Sequence, residues 1–157
     1  STERYCIDDN TWEDLPDMPL GPRYKHCAVT TQGSEIYIVG GCHLSMDVFD
    51  TGPMLSWKND FFLWRMPEVR RSAAVIVLME RYLVIIGGCD RKGATFAGCF
   101  IYDFLYNHWS STPPSIDMIK ARHSHTAAVF DGKVVVAGGV DKDRNRLASV
   151  ECIDADA

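Results

Sequence analysis

RHSHTAAVFDGKVVVAGG, residues Arg122 to Gly139, reads as one tight β-hairpin. Thr126 to Phe130 supplies a first apolar strand and Lys133 to Ala137 a second. Asp131-Gly132 forms the turn between them, because Asp and Gly tolerate the positive φ of a two-residue hairpin. The run Val134-Val135-Val136 is too short and too continuous for a surface helix, so the second strand is expected to be buried on both faces. Gly138-Gly139 ends it where the backbone must turn, or approach another segment too closely for a Cβ.

The same hairpin occurs twice upstream. RYKHCAVTTQGSEIYIVGG runs from Arg23 to Gly41, and a second copy runs from Arg71 to Gly88 with its turn at Met79-Glu80-Arg81. Arg71 and Arg122 each stand 17 residues before a second glycine; Arg23 stands 18 before Gly41, which a longer turn at Gln32-Gly33-Ser34 explains. The second glycines are 47 and 51 residues apart. A third strand follows each hairpin and ends on aspartate, at Asp50, Asp103 and Asp154, and the N-terminal strand ending on Asp8 matches them. A fourth strand is expected at Tyr106 to Ser110 in the second unit and at Phe61 to Arg65 in the first, where Trp64 is favoured over Trp57 as the matching tryptophan.

The 157-residue chain is 46% hydrophobic and 24% charged, an ordinary balance for one globular domain with a real core. Its net charge of −5 gives no support to nucleic-acid or anionic-membrane binding. No apolar run approaches the ~20 residues of a membrane span. The start, Ser1-Thr2-Glu3-Arg4, has neither a signal-peptide pattern nor an initiator Met, so the chain is expected to be an excerpt or a processed piece. Six cysteines, with no C-x-x-C pair, are expected to be free thiols acting as small buried hydrophobes in a reducing, cytoplasmic compartment. Cys6 and Cys152 fall in the slot that Val48 and Ile101 hold in the other units.

A period of about 50 residues with a Gly-Gly and a downstream Trp suggests four-stranded blades arranged radially. At these residues the chain resembles the kelch-repeat family. The resemblance rests on Pro22-Arg23, Gly40-Gly41, Phe49-Asp50 and Met66-Pro67 in one unit, and on Arg71, Gly87-Gly88, Tyr102-Asp103 and Asn107-His108-Trp109 in the next. Asn10-Thr11-Trp12 with Met18-Pro19 extends it to the N-terminus. It implies an all-β fold, a partial β-propeller of four-stranded antiparallel kelch blades. Residues 1–19 would be strands three and four of a preceding blade, 20–67 and 68–114 full blades, and 115–157 the first three strands of another. Kelch rings close with five to seven blades, so completing blades are expected from the rest of a longer chain or from another subunit. An open end would leave about five apolar side chains wet, at roughly 1.5–3 kcal/mol each.

The resemblance further implies a non-enzymatic module that binds a protein or peptide partner across one face, for substrate recognition or scaffolding, with no cofactor and no resident metal. Arg23, Arg71 and Arg122 recur at the start of every first strand. They read either as structural ties to loop carbonyls or as a basic rim, since Arg forms bidentate pairs with carboxylates. In peptide-binding family members the residue after this arginine often lines the pocket; here that gives Tyr24, Ser72 and His123. The loops after the glycine pairs are the other candidates, with His43, Asp90, Arg91, Asp141 and Arg144. His26 and His125 share a repeat slot and read as structural. Two other readings stay open: a structural subunit of a large assembly, and part of a kelch-type enzyme such as a copper radical oxidase or a sugar epimerase.

Overall fold

The structure, a computed structural model, describes residues 1–58 and 65–154. It is all-β. β1 (Thr2–Cys6) and β2 (Thr11–Leu15) form a two-stranded ribbon. β3 (His26–Thr30), β4 (Glu35–Gly40), β5 (Asp47–Asp50) and β6 (Ser56–Trp57) form an antiparallel four-stranded meander. β7 (Ala74–Leu78), β8 (Tyr82–Ile86), β9 (Cys99–Asp103) and β10 (His108–Ser111) repeat it. β11 (Thr126–Phe130), β12 (Lys133–Ala137) and β13 (Val150–Asp154) form a three-stranded sheet of the same order. The leading strands β3, β7 and β11 lie beside one another, so successive sheets stack about their first strands as blades of a partial β-propeller.

The turns follow from local chemistry. Asp131 and Gly132 have φ of 49° and 70°, the two positive values the β11–β12 turn requires. Asp50 and Asp103, which end β5 and β9, cap the turns that follow, whereas β1 ends on Cys6 and not on Asp8 as expected. Asp50 Oδ1 accepts the Gly52 amide at 2.8 Å, and Asp103 Oδ1 accepts that of Leu105 at 2.8 Å. Asp103 is also forked by Arg81, whose guanidinium, first, holds its carboxyl below the usual range.

Apolar alternation splits into two cores. Tyr37, Val39 and Val48 pack against Leu83, Ile85, Phe100 and Tyr102, with Met66 between the sheets. Ala74, Ile76, Val84 and Ile86 pack against Val134 and Val136, with Met118 in the matching place. β8 is therefore buried on both faces. β12 is not: Val134 and Val136 are buried, but Val135 and Ala137 are only half-buried, because no further sheet covers that side among the described residues. The reading of β12 as doubly buried is corrected accordingly.

Two more expectations change. In the first unit the fourth strand is β6, and Phe49 pairs with Trp57, as Tyr102 pairs with Trp109 and Tyr5 with Trp12. Trp57 thus holds the repeat position; residues 61–64, including Trp64, lie outside the described residues. The six cysteines are free, but only Cys89 and Cys99 are buried and Cys152 is exposed. Cys152 pairs with Val135, as Val48 pairs with Tyr37, yet the covering sheet that buries Val48 has no counterpart over it.

Candidate functional site

All three glycine pairs lie at one end of their sheets, and the loops gathered there form the candidate site. Each hairpin is entered by an arginine whose guanidinium turns inward. Arg23 Nε donates to Asp47 Oδ2 at 2.7 Å and its terminal nitrogens reach the carbonyls of Gly40 and Ser45. Arg122 is fully buried, bonds the carbonyls of Gly138 and Ser149, and pairs with Glu151 at 2.5 Å. In the middle sheet the residue that reaches the first glycine's carbonyl is Arg70, at 3.3 Å from Gly87.

The second-unit register is thereby corrected by one residue. Arg70 is the partner of Arg23 and Arg122, and Arg71 occupies the slot of Tyr24 and His123. Ser72 then matches Lys25 and Ser124; all three have positive φ, of 52°, 56° and 55°. Their backbones link the sheets in series: the Ser72 amide donates to Lys25 O at 2.8 Å and the Ser124 amide to Ser72 O at 2.7 Å. Gly41 and Gly88 donate to Arg70 O and Arg122 O in the same way, at 2.8 and 2.9 Å. A Cβ on Gly41 would meet Tyr24 O at 2.6 Å, which is the close approach that demands glycine there.

Sequence reasoning missed Arg70 because its partner differs. Asp47 lies opposite Ile38 and Glu151 opposite Val136; the equivalent residue opposite Ile85 is Phe100. The Arg70 guanidinium sits 3.7 Å from the ring centre of Phe96 and 4.5 Å from that of Phe100, a cation–π cradle where the other sheets have a cross-strand acid, and its carboxylate partner is Glu68 instead, at 2.9 Å. Spacing alone does not choose it: Arg23 and Arg70 stand 17 residues before their first glycine, but Arg122 stands 16 before Gly138.

With the repeat arginines engaged internally, the side chains offered to solvent at this end are those of the next slots and of the post-glycine loops. Tyr24 is exposed, with the Arg71 guanidinium 5.0 Å from its ring centre. His123 shares a hydrogen bond with the Ser124 hydroxyl at 3.0 Å, and burial followed by the nearby Lys25 charge pushes its imidazole below the usual range. Arg91 donates to Cys42 O at 2.9 Å, tying one sheet's loop to the preceding one; His43, next to Cys42, is half-buried. Asp90 and Asp141 are spent on their own loops. Asp90 Oδ1 accepts the amides of Lys92 and Ala94, and Asp141 Oδ1 those of Asp143 and Asn145. The exposed cations at this end include Lys25, Lys92, Arg144 and Arg146, with Arg71 half-buried, on a chain whose net charge is −5.

His125, one residue beyond the Ser124 slot, is half-buried with both ring nitrogens unpaired, and desolvation, with the Arg122 charge, lowers it to about 4. No cluster of three His, Cys, Asp or Glu side chains suited to a metal occurs among the described residues. A separate apolar cavity of about 300 Å³ opens between the second and third large sheets, lined by Leu78, Tyr82, Ile101, Ile116 and Ile153. Phe104 and Trp109 pack against the core between the first two large sheets.

The comparisons with known proteins agree with this architecture. Residues 3–157 match the model of the KLHDC2/KLHL20/DRC7 Kelch-repeats domain. The chain is 30% identical to human Kelch-like protein 24 over 150 residues, 90% of this chain and 23% of that protein. It is 25% identical to human Kelch-like protein 33 over 88% of this chain and 26% of that protein. It is also 28% identical to Kelch repeat protein M-T9 of Myxoma virus (strain Lausanne), over 94% of this chain and 26% of the viral protein. The chain thus spans about a quarter of the length of the curated relatives it matches. On its repeated sheets, its inward arginines and this match across residues 3–157, the chain belongs to the kelch-repeat family.

Proposed function

We propose that this chain is a non-enzymatic protein-interaction module, contacting a protein or peptide partner with the end of its sheets that carries the glycine pairs. The observation that carries the reading is the division of labour there. One repeat slot (Arg23, Arg70, Arg122) is buried and invariant in chemistry, while the next, exposed at Tyr24 and half-buried at Arg71 and His123, differs from sheet to sheet. A rigid, hydrogen-bonded frame presenting variable side chains is what recognition on a scaffold requires. The residues assigned to the partner are Tyr24, Arg71, Ser72 and His123, with His43, Arg91 and Arg144 from the loops beside them. Asp90 and Asp141 brace those loops, and Arg23 and Arg122 shape the frame from beneath.

Further blades complete the module. The sheet divisions at residues 1–19, 20–67, 68–114 and 115–157 are its blade boundaries, and the half-covered side of β11–β13 meets the next blade. Support comes from its composition: Ala128, Val135, Ala137 and Val150 occupy the positions that Ile76, Val84, Ile86 and Cys99 use to pack on β11–β13. The module works inside the cell.

The test uses photo-crosslinking amino acids in the longest available form of the protein. Placed at Tyr24 or His123 they are expected to capture the same partner, and at Tyr106, on the opposite end of the sheets, to capture none. Capture only from Tyr106 would overturn the assignment of the face.

A further inference from the structure

The seams between the large sheets are filled differently. Between the first and second, four rings run in contact. Tyr37 lies 5.0 Å from Phe104 between ring centres, Phe104 lies 5.7 Å from Tyr102, and Tyr102 lies 5.1 Å from Trp109. The space left in that seam, about 250 Å³, is polar, with Glu35, Lys58 and Asn107 on its walls. Between the second and third sheets the same positions carry smaller side chains. Val84 stands three residues before the first glycine, as Tyr37 does, and pairs with Ile101 as Tyr37 pairs with Val48. Ile153 pairs with Val134 as Tyr102 pairs with Leu83. In the sequence, Ala155 follows Asp154 where Phe104 follows Asp103. The result is the apolar cavity of about 300 Å³, walled by Leu78, Tyr82, Val84, Ile101, Val134 and Ile153. A further strand beside β13, in the place β10 takes beside β9, would bring a counterpart of Trp109 but of none of the other three rings.

The charge at the cavity differs too. In the second sheet Arg81 forks Asp103. In the third, Gly132 precedes Lys133 where Arg81 precedes Tyr82, so the matching aspartate, Asp154, has no such fork. Asp154 lines the cavity and is exposed, and its carboxylate has no hydrogen bond or ion pair among the described residues, its cross-strand neighbour Lys133 included. It is the one charged side chain on the wall among the described residues.

We infer that this cavity is a small-molecule site whose ligand is an apolar amine, with its hydrocarbon or aromatic body held between the two sheets and its ammonium group at Asp154. Space walled by apolar side chains stays dry and takes apolar molecules. Mostly apolar walls with a few polar groups that fix orientation are what ligand pockets of this size have in common. The hydroxyls of Ser110 and Thr112 also reach the wall, but that of Thr112 is engaged with Asp117 at 3.0 Å. Met79, exposed and unbranched, lets the wall follow ligands of different shape. Met79 and Asp154 lie at the end of the sheets away from the glycine pairs, so the site does not depend on the partner face.

The experiment titrates naphthylmethylamine into the longest available form of the protein by calorimetry, with naphthylacetate as its anionic twin. The amine is expected to bind roughly tenfold more tightly than the anion, and Asp154→Asn to weaken the amine roughly fivefold, the worth of an exposed ion pair. Val84→Phe and Ile153→Tyr put back rings of the first seam, and each should abolish binding without lowering the unfolding midpoint. Binding that survives in a filled variant of unchanged midpoint would place the amine elsewhere and overturn the site. A midpoint lowered in both variants would show that the seam has no room for a ring, and would overturn it equally. Equal affinity for the two naphthyl compounds, or for Asp154→Asn and wild type, would overturn the role of Asp154. No binding of the amine by wild type would overturn the ligand and leave the cavity to a further strand of the protein itself.

Discussion

Arg23 Nε lies 2.7 Å from Asp47 Oδ2, and both side chains are fully buried. The pair joins the residue that enters a blade to the strand that leaves the glycine loop, so it fixes the loop's base. Removing one partner leaves a charge without water or counter-charge, and such breaks cost about 3–5 kcal/mol. Asp47→Ala is expected to lower stability by that order, measured by urea unfolding. The double change Arg23→Met with Asp47→Leu should cost clearly less, because no orphan charge remains. A double variant as unstable as Asp47→Ala alone would show that packing, not the charge, is what matters there.

The glycine pairs separate two physical roles, and substitution tells them apart. At Gly41 a Cβ would stand 2.6 Å from Tyr24 O and 3.3 Å from the His26 amide nitrogen, on top of a φ of +76°. At Gly93 φ is +92° but the space is open. Gly93→Ala should therefore cost about 1 kcal/mol, the conformational penalty alone. Gly41→Ala should cost distinctly more, since backbone atoms of the outward slot must move. Calorimetric midpoints would rank them, and Gly41→Ala should also impair partner capture at Tyr24 where Gly93→Ala does not.

The blades were legible because their signals are local. Asp131-Gly132 sets its own turn, the glycine pairs mark close approaches, and strand-ending aspartates cap their own turns. The register at Arg70-Arg71 was not, because two adjacent arginines fit the same spacing and the deciding contact, with Phe96 and Phe100, lies 26 and 30 residues downstream of Arg70. The face of β12 was misjudged for a related reason. An apolar run reports what a strand can bury, and only its neighbours decide what is buried. Of the site, the exposure of Tyr24 was in keeping with the repeat, while His123 proved half-buried. The internal use of Arg23, Arg122, Asp90 and Asp141 required the coordinates of their partners.

His125 gives the fold a pH dependence. Burial lowers its imidazole to about 4, against an ordinary value near 6.5. The unfolded chain then binds a proton between those values and the native protein does not, so stability falls as pH drops from about 6.5 toward 4 and is fully present above. The groups facing it include the Arg122 guanidinium and His123, which oppose a second charge, and Glu151, which favours it. His125→Gln should shrink the part of the midpoint decline that begins near pH 6.5, leaving the share of His123, which is also held below its ordinary value, and the carboxylate-driven loss at lower pH. A midpoint profile unchanged in that window would assign the decline elsewhere.

The half-covered side of β11–β13 makes the last prediction conditional on chain length. Val135 stands where the middle sheet has Val84, which is 7% exposed beneath β11–β13. If a following blade covers Val135 in the same way, it contributes the burial of a valine, about 1.5–3 kcal/mol, only when that blade is present. Val135→Asp should then leave the unfolding of the 157-residue chain nearly unchanged. In a longer polypeptide that carries the next blade it should destabilise by at least that amount, because a carboxylate is forced into the interface. Equal effects in the two lengths would mean that Val135 keeps its present surroundings in the longer protein, and that the next blade does not sit on this sheet.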